Sequence, residues 1–397
     1  MTWQQVKARF EASNPELRAD ADSVDEMRAE EITAYLRPNP QFGLLADGTQ
    51  IAPHDGVWTP FKGTFEEPSF SYLHERDHKR ELRLESAQQS TQISESEHED
   101  LKRTLEFTLR SAFVQTLEAD AVVKLAQDDL NYYDKIIAIS GDRYRAGDIA
   151  SIDFDRIELL RVQYEAELQT AIVNLRTAKI QLLQLLDDQN PVAQFDVTGS
   201  FDFSDALQPL EDFRQIALAN RPDLQAALET IQQSETNHKL AISNGSTDPT
   251  FGAWYTHNAS TNNPNGPETL GASVNIPLRI FDRNQGEKQR TQIDIDRSRQ
   301  ASEAVRAQAL SDVDTAYAEV AGNIALLRPY KAQYNAQALR VRDTVTYSYE
   351  HGGTSLLDFL NAQSDFRQVQ LAYAQLIGAY LTAVAQLDLA VGREVIQ

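Results

Sequence analysis

The chain has 397 residues, with 37 Lys and Arg against 59 Asp and Glu, and a net charge of −22. Carboxylates at that density repel phosphate, which argues against nucleic acid as a partner. There is no Cys, so disulfides, thiolate metal sites and cysteine nucleophiles are excluded as well.

Long stretches hold neither Gly nor Pro, which predicts long helices rather than an α/β enzyme with frequent turns. No stretch approaches ~18 consecutive apolar residues, so no transmembrane helix is expected. The first residues, Met1-Thr2-Trp3-Gln4-Gln5-Val6, carry neither the basic nor the apolar region of a signal peptide. Taken alone, that start describes a cytoplasmic protein, with any export signal absent from this chain.

In chain order, the first predicted element is a helix at about 14–37. Two short extended segments follow, Phe42, Leu44 and Ala46, then Pro68, Phe70, Tyr72 and His74. A very long helix is predicted at about 80–146, ending at Gly147, and a further helix at about 152–187. The plan then repeats. A helix at about 205–244 precedes extended segments at 249–255 and 270–280, joined by a turn-rich loop, 261–267. Within 270–280, Leu270, Ala272, Val274, Ile276, Leu278 and Ile280 fall on one face, a period of two. A second long helix follows at about 286–351, which Pro329 should kink, and a final helix at about 355–391. At 1.5 Å per residue each long helix spans ~100 Å, too long to wrap a small core.

The repeat is visible in residues. Tyr144, Gly147, Asp153 and Phe154 recur 205 positions later as Tyr349, Gly352, Asp358 and Phe359. Asn14-Pro15-Glu16-Leu17 is echoed by Asn220-Arg221-Pro222-Asp223-Leu224. The reading is a tandem duplication, 1–195 and 196–397. The final helices carry heptad-like seams: Ile157, Leu160, Tyr164 and Leu168 onward in the first, Phe359, Ala362, Phe366 and Val369 onward in the second.

The fold class is therefore mainly α with a small β part: long antiparallel helical hairpins plus four strands per chain. The strands are near the ~9–11 residues that cross a bilayer as tilted β-strands. Four of them cannot close a barrel, and an open edge cannot face lipid. A membrane version must oligomerise, as dimer or trimer; two surface hairpins on a soluble helical protein is the other reading.

The tandem plan, the 220–224 block and the two Tyr-x-x-Gly turns resemble the TolC family of outer-membrane efflux channels. The block from Tyr144 to Phe154, with Arg161-Val162-Gln163, the stretch 174–184 and His78-Lys79-Arg80-Glu81, resembles its CzcC-type branch, associated with metal efflux. The resemblance implies a homotrimer with a 12-stranded barrel in the outer membrane and a hollow helical barrel across the periplasm. It implies an exit duct in a tripartite system, docked on a periplasmic adaptor and an inner-membrane pump of the resistance-nodulation-division type. The exported substrate, heavy-metal cation or drug, is left open. No reaction and no cofactor is implied. The rival is a soluble coiled-coil scaffold that binds a partner through its seams.

The tips of the helical hairpins carry the candidate site. Gly147 and Gly352 stop the long helices, Gly353 loosens the second tip, and Ser151 and Ser355 cap the helices that follow. Asp153 and Asp358 sit in first turns, where the helix dipole favours negative charge. The resemblance implies a periplasmic gate at Tyr349, Asp358, Asn361 and Asp153, with Asn361 and Thr354 standing where the family archetype has Asp and Arg. It implies adaptor docking at Gly147, Asp148, Ser151, Gly352, Gly353, Thr354 and Ser355. His74 and His78 are not read as a metal site, since an extended segment does not bring them to one face. Glu95, Glu97, Glu99 and Asp100 read as a solvated helix face. Trp58 and Trp254 read as interfacial girdle residues or as hairpin packing.

Overall fold

The computed structural model describes residues 1–258 and 267–396. The predicted loop at 261–267 lies, but for Pro267, outside the described residues. The elements run α1 (Trp3–Ser13), α2 (Pro15–Tyr35), β1 (Gln41–Asp47), β2 (Phe65–Leu73), α3 (Lys79–Ala146) and α4 (Ser151–Leu185). The same plan follows in α5 (Leu210–Asn220), α6 (Pro222–Ser243), β3 (Thr250–Asn258), β4 (Glu268–Asn275), α7 (Gln285–Pro329), α8 (Asn335–Glu350) and α9 (Leu356–Val391).

One expected helix is a helix pair, and another has a further helix before it. The 14–37 helix is α2 preceded by α1, and the 205–244 helix is α5 and α6. The cause lies in the residue before each proline, which steric clash drives out of the helical region. Asn14 (φ −63, ψ 121) and Arg221 (φ −73, ψ 121) are both extended. Each then ties the break to the end of a distant helix: Asn14 Nδ2 donates to the Leu185 carbonyl at 3.3 Å, and Arg221 Nη1 to the Ala390 carbonyl at 3.1 Å. At Pro329 the expected kink is a π-helical turn, Tyr330–Tyr334. The missing proline N–H leaves the ladder short of a donor, and Asn335 N–H resumes it five residues back, on the Tyr330 carbonyl.

The chain divides into two compact units. One comprises Met1–Ala21, Glu97–Leu224 and Val305–Gln397; the other Asp22–Ser96 and Gln225–Ala304. Each takes segments from both halves of the sequence.

The first unit has three apolar cores. Val6 and Phe10 of α1 pack with Leu109, Phe113 and Leu117 of α3 and Leu182 of α4. Phe213 and Ala217 of α5 pack with Val313, Val320 and Leu327 of α7 and Tyr380, Val384 and Leu387 of α9. The third core, at the hairpin tips, joins Tyr133, Ile136 and Ile157 to Tyr349 and Phe359. Helix α9 is apolar and long enough to cross a membrane by composition, but half of its most apolar stretch is buried inside the protein.

The second unit holds one antiparallel sheet in the order β1-β2-β3-β4. Lys79, its side chain 4% exposed, bridges to Asp248 at 2.5 Å and donates to the Ser246 carbonyl at 3.2 Å, fixing the start of α3 to the chain entering β3. The helical segments beside the sheet meet through small polar contacts such as Ser234 with Ser298 (2.9 Å) and His238 with Thr291 (2.9 Å). The strand expected to run to residue 280 ends at Asn275, two residues before Pro277.

Candidate functional site

Strand register decides the sheet's two faces, because residues paired directly across strands point the same way. One row pairs Phe42, Phe70, Ala253 and Ala272; the next pairs Tyr72, Phe251 and Val274. Leu44 with Pro68 and Tyr255 with Leu270 continue this face. Its apolar side chains are exposed, Phe42 at 73% and Leu270 at 84%. The row Glu66, His257 and Glu268 bounds the apolar band at one end. The opposite face carries Gly43, Ser69, Ser71, Gly252, Thr256 and Ser273. A four-stranded sheet with one oily and one polar face, and with β1 and β4 as free edges, is built to join other strands while facing hydrocarbon on one side.

Trp254 is not on the apolar face. It pairs with Gly271 on the polar one, where a Cβ on Gly271 would meet its ring at 2.2 Å. The indole thus covers a gap left by a glycine, which argues against a girdle role. Trp58 lies exposed between β1 and β2.

Helix α9 also separates its faces. Ile377, Tyr380, Val384 and Leu387 enter the core with α5 and α7. Gln375, Gly378, Ala379, Thr382 and Gln386 line a concave groove of about 1150 Å³ between α3 and α7. Glu118, Asp312 and Glu319 also line it, with Gln and Asn and without a Lys or Arg. The groove continues toward the tips along α4 and α9, where Asp129, Glu167 and Arg367 appear. Burial pushes the Asp129 carboxyl up to about 6. Sequence reading missed this groove, although its signal is present: small and amide side chains recur at three- and four-residue spacing on the face of α9 opposite the apolar seam.

At both tips the long helix ends in the same way. Gly147 (φ +81) and Gly352 (φ +73) are left-handed, as expected. Gly147 N–H donates to the Tyr144 carbonyl (3.0 Å) and Asp148 N–H to the Arg143 carbonyl (2.9 Å). Gly352 N–H donates to the Tyr349 carbonyl (3.1 Å) and Gly353 N–H to the Ser348 carbonyl (2.7 Å). Both are Schellman closures. Gly353 therefore does not loosen the tip; it closes it, and a Cβ there would meet Ser348 Oγ at 2.8 Å.

The two serines differ. Ser355 is the cap of α9: its Oγ accepts from Asp358 N–H at 3.1 Å and donates to Asp358 Oδ2 at 2.7 Å, while Thr354 Oγ1 donates to the same carboxylate at 3.3 Å. Ser151 does not cap α4. It is already the first helical residue, and Ala150, which makes no side-chain hydrogen bond, holds the cap position. The register explains the difference, since Ala150 and not Ser151 stands 205 residues before Ser355.

Asp148, Asp358 and Asn361 are exposed and Asp153 is half-buried. Tyr349 is elsewhere. It is 3% exposed in the tip core, its ring stacked on Phe359 at 4.7 Å, its hydroxyl without a partner among the described residues. Arg143 donates to the Tyr349 carbonyl at 2.6 Å and lies over its ring at 5.1 Å, so one tip is latched to the other. His74 and His78 form no metal cluster, and none occurs among the described residues. Of the acidic run, Glu95 pairs with Arg28 at 2.6 Å, and nearby His98 pairs with Asp20 at 2.7 Å.

Residues 213–393 match the family model described as outer membrane efflux protein. The chain is 23% identical over 391 residues to the cobalt-zinc-cadmium resistance protein CzcC of Cupriavidus metallidurans, covering 96% of this chain and 87% of that one. Its fold is similar to that of CusC, with a TM-score of 0.82 at 16% identity over 98% of this chain and 92% of that one. It is also similar to the open state of the MtrE outer membrane channel of Neisseria gonorrhoeae, with a TM-score of 0.78 at 17% identity over 99% and 89%. The second half of the chain thus matches the outer membrane efflux protein model, and the whole chain shares the fold of these outer-membrane channels.

Proposed function

We propose that three copies of the chain close a twelve-stranded barrel and form the exit duct of a tripartite pump for divalent metal cations. The observation that carries this reading is the strand register: four strands share one exposed apolar face and leave two free edges. In hydrocarbon an unpaired strand edge costs several kcal/mol per polar group, so the edges must meet those of further copies. Three copies of a four-stranded sheet make twelve strands, above the ~8 at which outer-membrane barrels begin.

A periplasmic adaptor docks at the tips, on the backbone closures at Gly147, Asp148, Gly352 and Gly353 and the flanking Ser151, Thr354 and Ser355. A pump of the resistance-nodulation-division type drives transport. Asp358, Asn361 and Asp153 face the mouth, and Tyr349 acts from within, by setting where α9 begins through its stack on Phe359. Metal cations are favoured as cargo because the relative is named for cobalt, zinc and cadmium resistance, and because the concave helical face is lined by carboxylates and amides.

The test is native mass spectrometry in detergent together with planar-bilayer recording. A trimer of the 44.6 kDa chain that conducts is expected. A monomer that needs no detergent overturns the reading. Cargo is tested separately, by whether the gene with its cognate pump raises tolerance to zinc rather than to lipophilic drugs.

A further inference from the structure

We infer that Glu118, seated against the bare backbone of α9 at Gly378, sets the preference of the conduit for cations over anions. The inference rests on the reading of the concave groove as part of the conduit wall.

Gly378 is buried in the interior of a 36-residue helix, where glycine is a poor choice because its chain loses most freedom on ordering. Its position has a steric reason. A Cβ at 378 would lie 2.1 Å from Glu118 Oε2, 2.7 Å from Cδ and 3.3 Å from Cγ. The carboxylate therefore lies against α9 at Gly378, where a side chain would push it aside. Glu118 makes no hydrogen bond or ion pair with any described residue, and no Lys or Arg lines the groove beside it.

The other acids of the groove are placed differently. Asp312 is paired with Arg221 at 3.0 Å, so its charge is largely cancelled. Glu319 is exposed, and solvent screens it. From α9, Gln375, Thr382 and Gln386 face the region, and from α4, Asn174, Thr177 and Gln181; none titrates. Asp312 and Glu319 of α7 are the other titratable groups beside it among the described residues, and Asp129, Glu167 and Arg367 follow where the groove continues toward the tips. Burial pushes the Glu118 carboxyl up, which places it against a low-dielectric wall. An unpaired charge so placed projects a stronger field into an adjacent aqueous space than a fully hydrated one. Three copies would form one ring.

The purified channel is recorded in planar bilayers under a tenfold KCl gradient. The wild type is expected to be cation-selective, and Glu118→Gln to lower the K⁺/Cl⁻ permeability ratio by about twofold or more while still conducting. Glu319→Gln is expected to change it less. A conducting Glu118→Gln channel with the wild-type ratio overturns this inference alone. A wild-type protein that does not conduct overturns the conduit reading and this inference with it. If Glu118→Gln does not assemble, Asp129→Asn is titrated from pH 8 to pH 5 beside the wild type: a ratio that still falls without Asp129 supports the role of Glu118, and one that is flat in the variant overturns it.

Discussion

Arg221 gives the sharpest test of how the first unit is held. It precedes Pro222 with 5% of its side chain exposed. It makes two hydrogen bonds to Asp223, at 2.6 and 3.0 Å, one to Asp312 at 3.0 Å and one to the Ala390 carbonyl at 3.1 Å. Burial pushes the Asp223 carboxyl up, but the Arg221 hydrogen bonds and charge outweigh it and hold the group below its usual range. Arg221→Ala strands both carboxylates and frees the carbonyl at the end of α9. Removing one partner of a buried pair costs ~3–5 kcal/mol. Asp223 and Asp312 keep 24% and 32% exposure, and Arg103 remains 3.8 Å from Asp223, so the low end applies, about 3 kcal/mol. For a unit of this size that is a fall of roughly 6–12 °C in Tm. Circular dichroism of the detergent-solubilised protein at pH 7 reads it. Arg221→Lys should lose about half as much, since one ammonium cannot fork to Asp223 while reaching Asp312 and Ala390. In an Asp223→Asn, Asp312→Asn background the alanine change should cost much less. The low carboxyl pKa contributes stability above its ordinary 3.8, and this is lost as pH falls through the folded value, so the deficit of Arg221→Ala should shrink in acid. A Tm within about 1 °C of wild type, or an equal loss in the neutralised background, refutes the reasoning.

The sheet and the end of α9 give two further expectations. Leu270→Arg, on the apolar face, should impair insertion into lipid vesicles by ~2–4 kcal/mol, whereas Ser273→Arg, on the opposite face, should insert normally; equal insertion by both would mean the faces are misassigned. Asp388 is pushed up from the ordinary 3.8 to about 7 by burial, against the opposing hydrogen bond from Val395 N–H at 2.8 Å. A carboxyl raised in the folded state binds more protons there than in the unfolded chain, so stability falls as pH rises from about 4 through about 7. Asp388→Asn, which keeps the acceptor for Val395, should therefore raise Tm at pH 8, by at most ~4 kcal/mol of stability, with the gain fading toward pH 4. A gain independent of pH would rule out the titration of Asp388 as its source.

Much of this was legible because helices and strands announce themselves through period and punctuation. The long helices, the left-handed glycines and the four extended segments follow from residues a few positions apart. The prolines behind Asn14 and Arg221 mark helix breaks, yet the reading of 205–244 as one helix runs through the second, and α1 was hidden: only Val6 and Phe10 of its residues are buried, too few to show a period. Ser151 misled because a cap is a matter of one-residue register, and its side chain is right while its position is not. Tyr349 misled differently. The sequence places it near the Gly turn, but only the packing of Tyr133, Ile157 and Phe359 around it turns its hydroxyl inward. The groove was least legible, since a face defined by what does not pack leaves no hydrophobic signal.

That unpacked face explains where the two halves part company. A repeat that buried every helix alike would make a solid bundle; a conduit needs one side of each wall helix left bare. The 205-residue offset carries Glu118 to Asn323 and relates Gly378 to Val173. Asn323 lies on the same groove but is neutral, and Val173 is exposed on α4. The two ends of the helical hairpins keep their matching closures, at Gly147 and Gly352, and their matching tethers, at Asn14 and Arg221. The concave wall diverges in charge, as the caps at Ala150 and Ser355 diverge in side chain. In the proposed trimer, backbone geometry must match in both halves for edges and hairpins to meet in a closed ring, whereas charge need occur only once per chain, because the ring would multiply it.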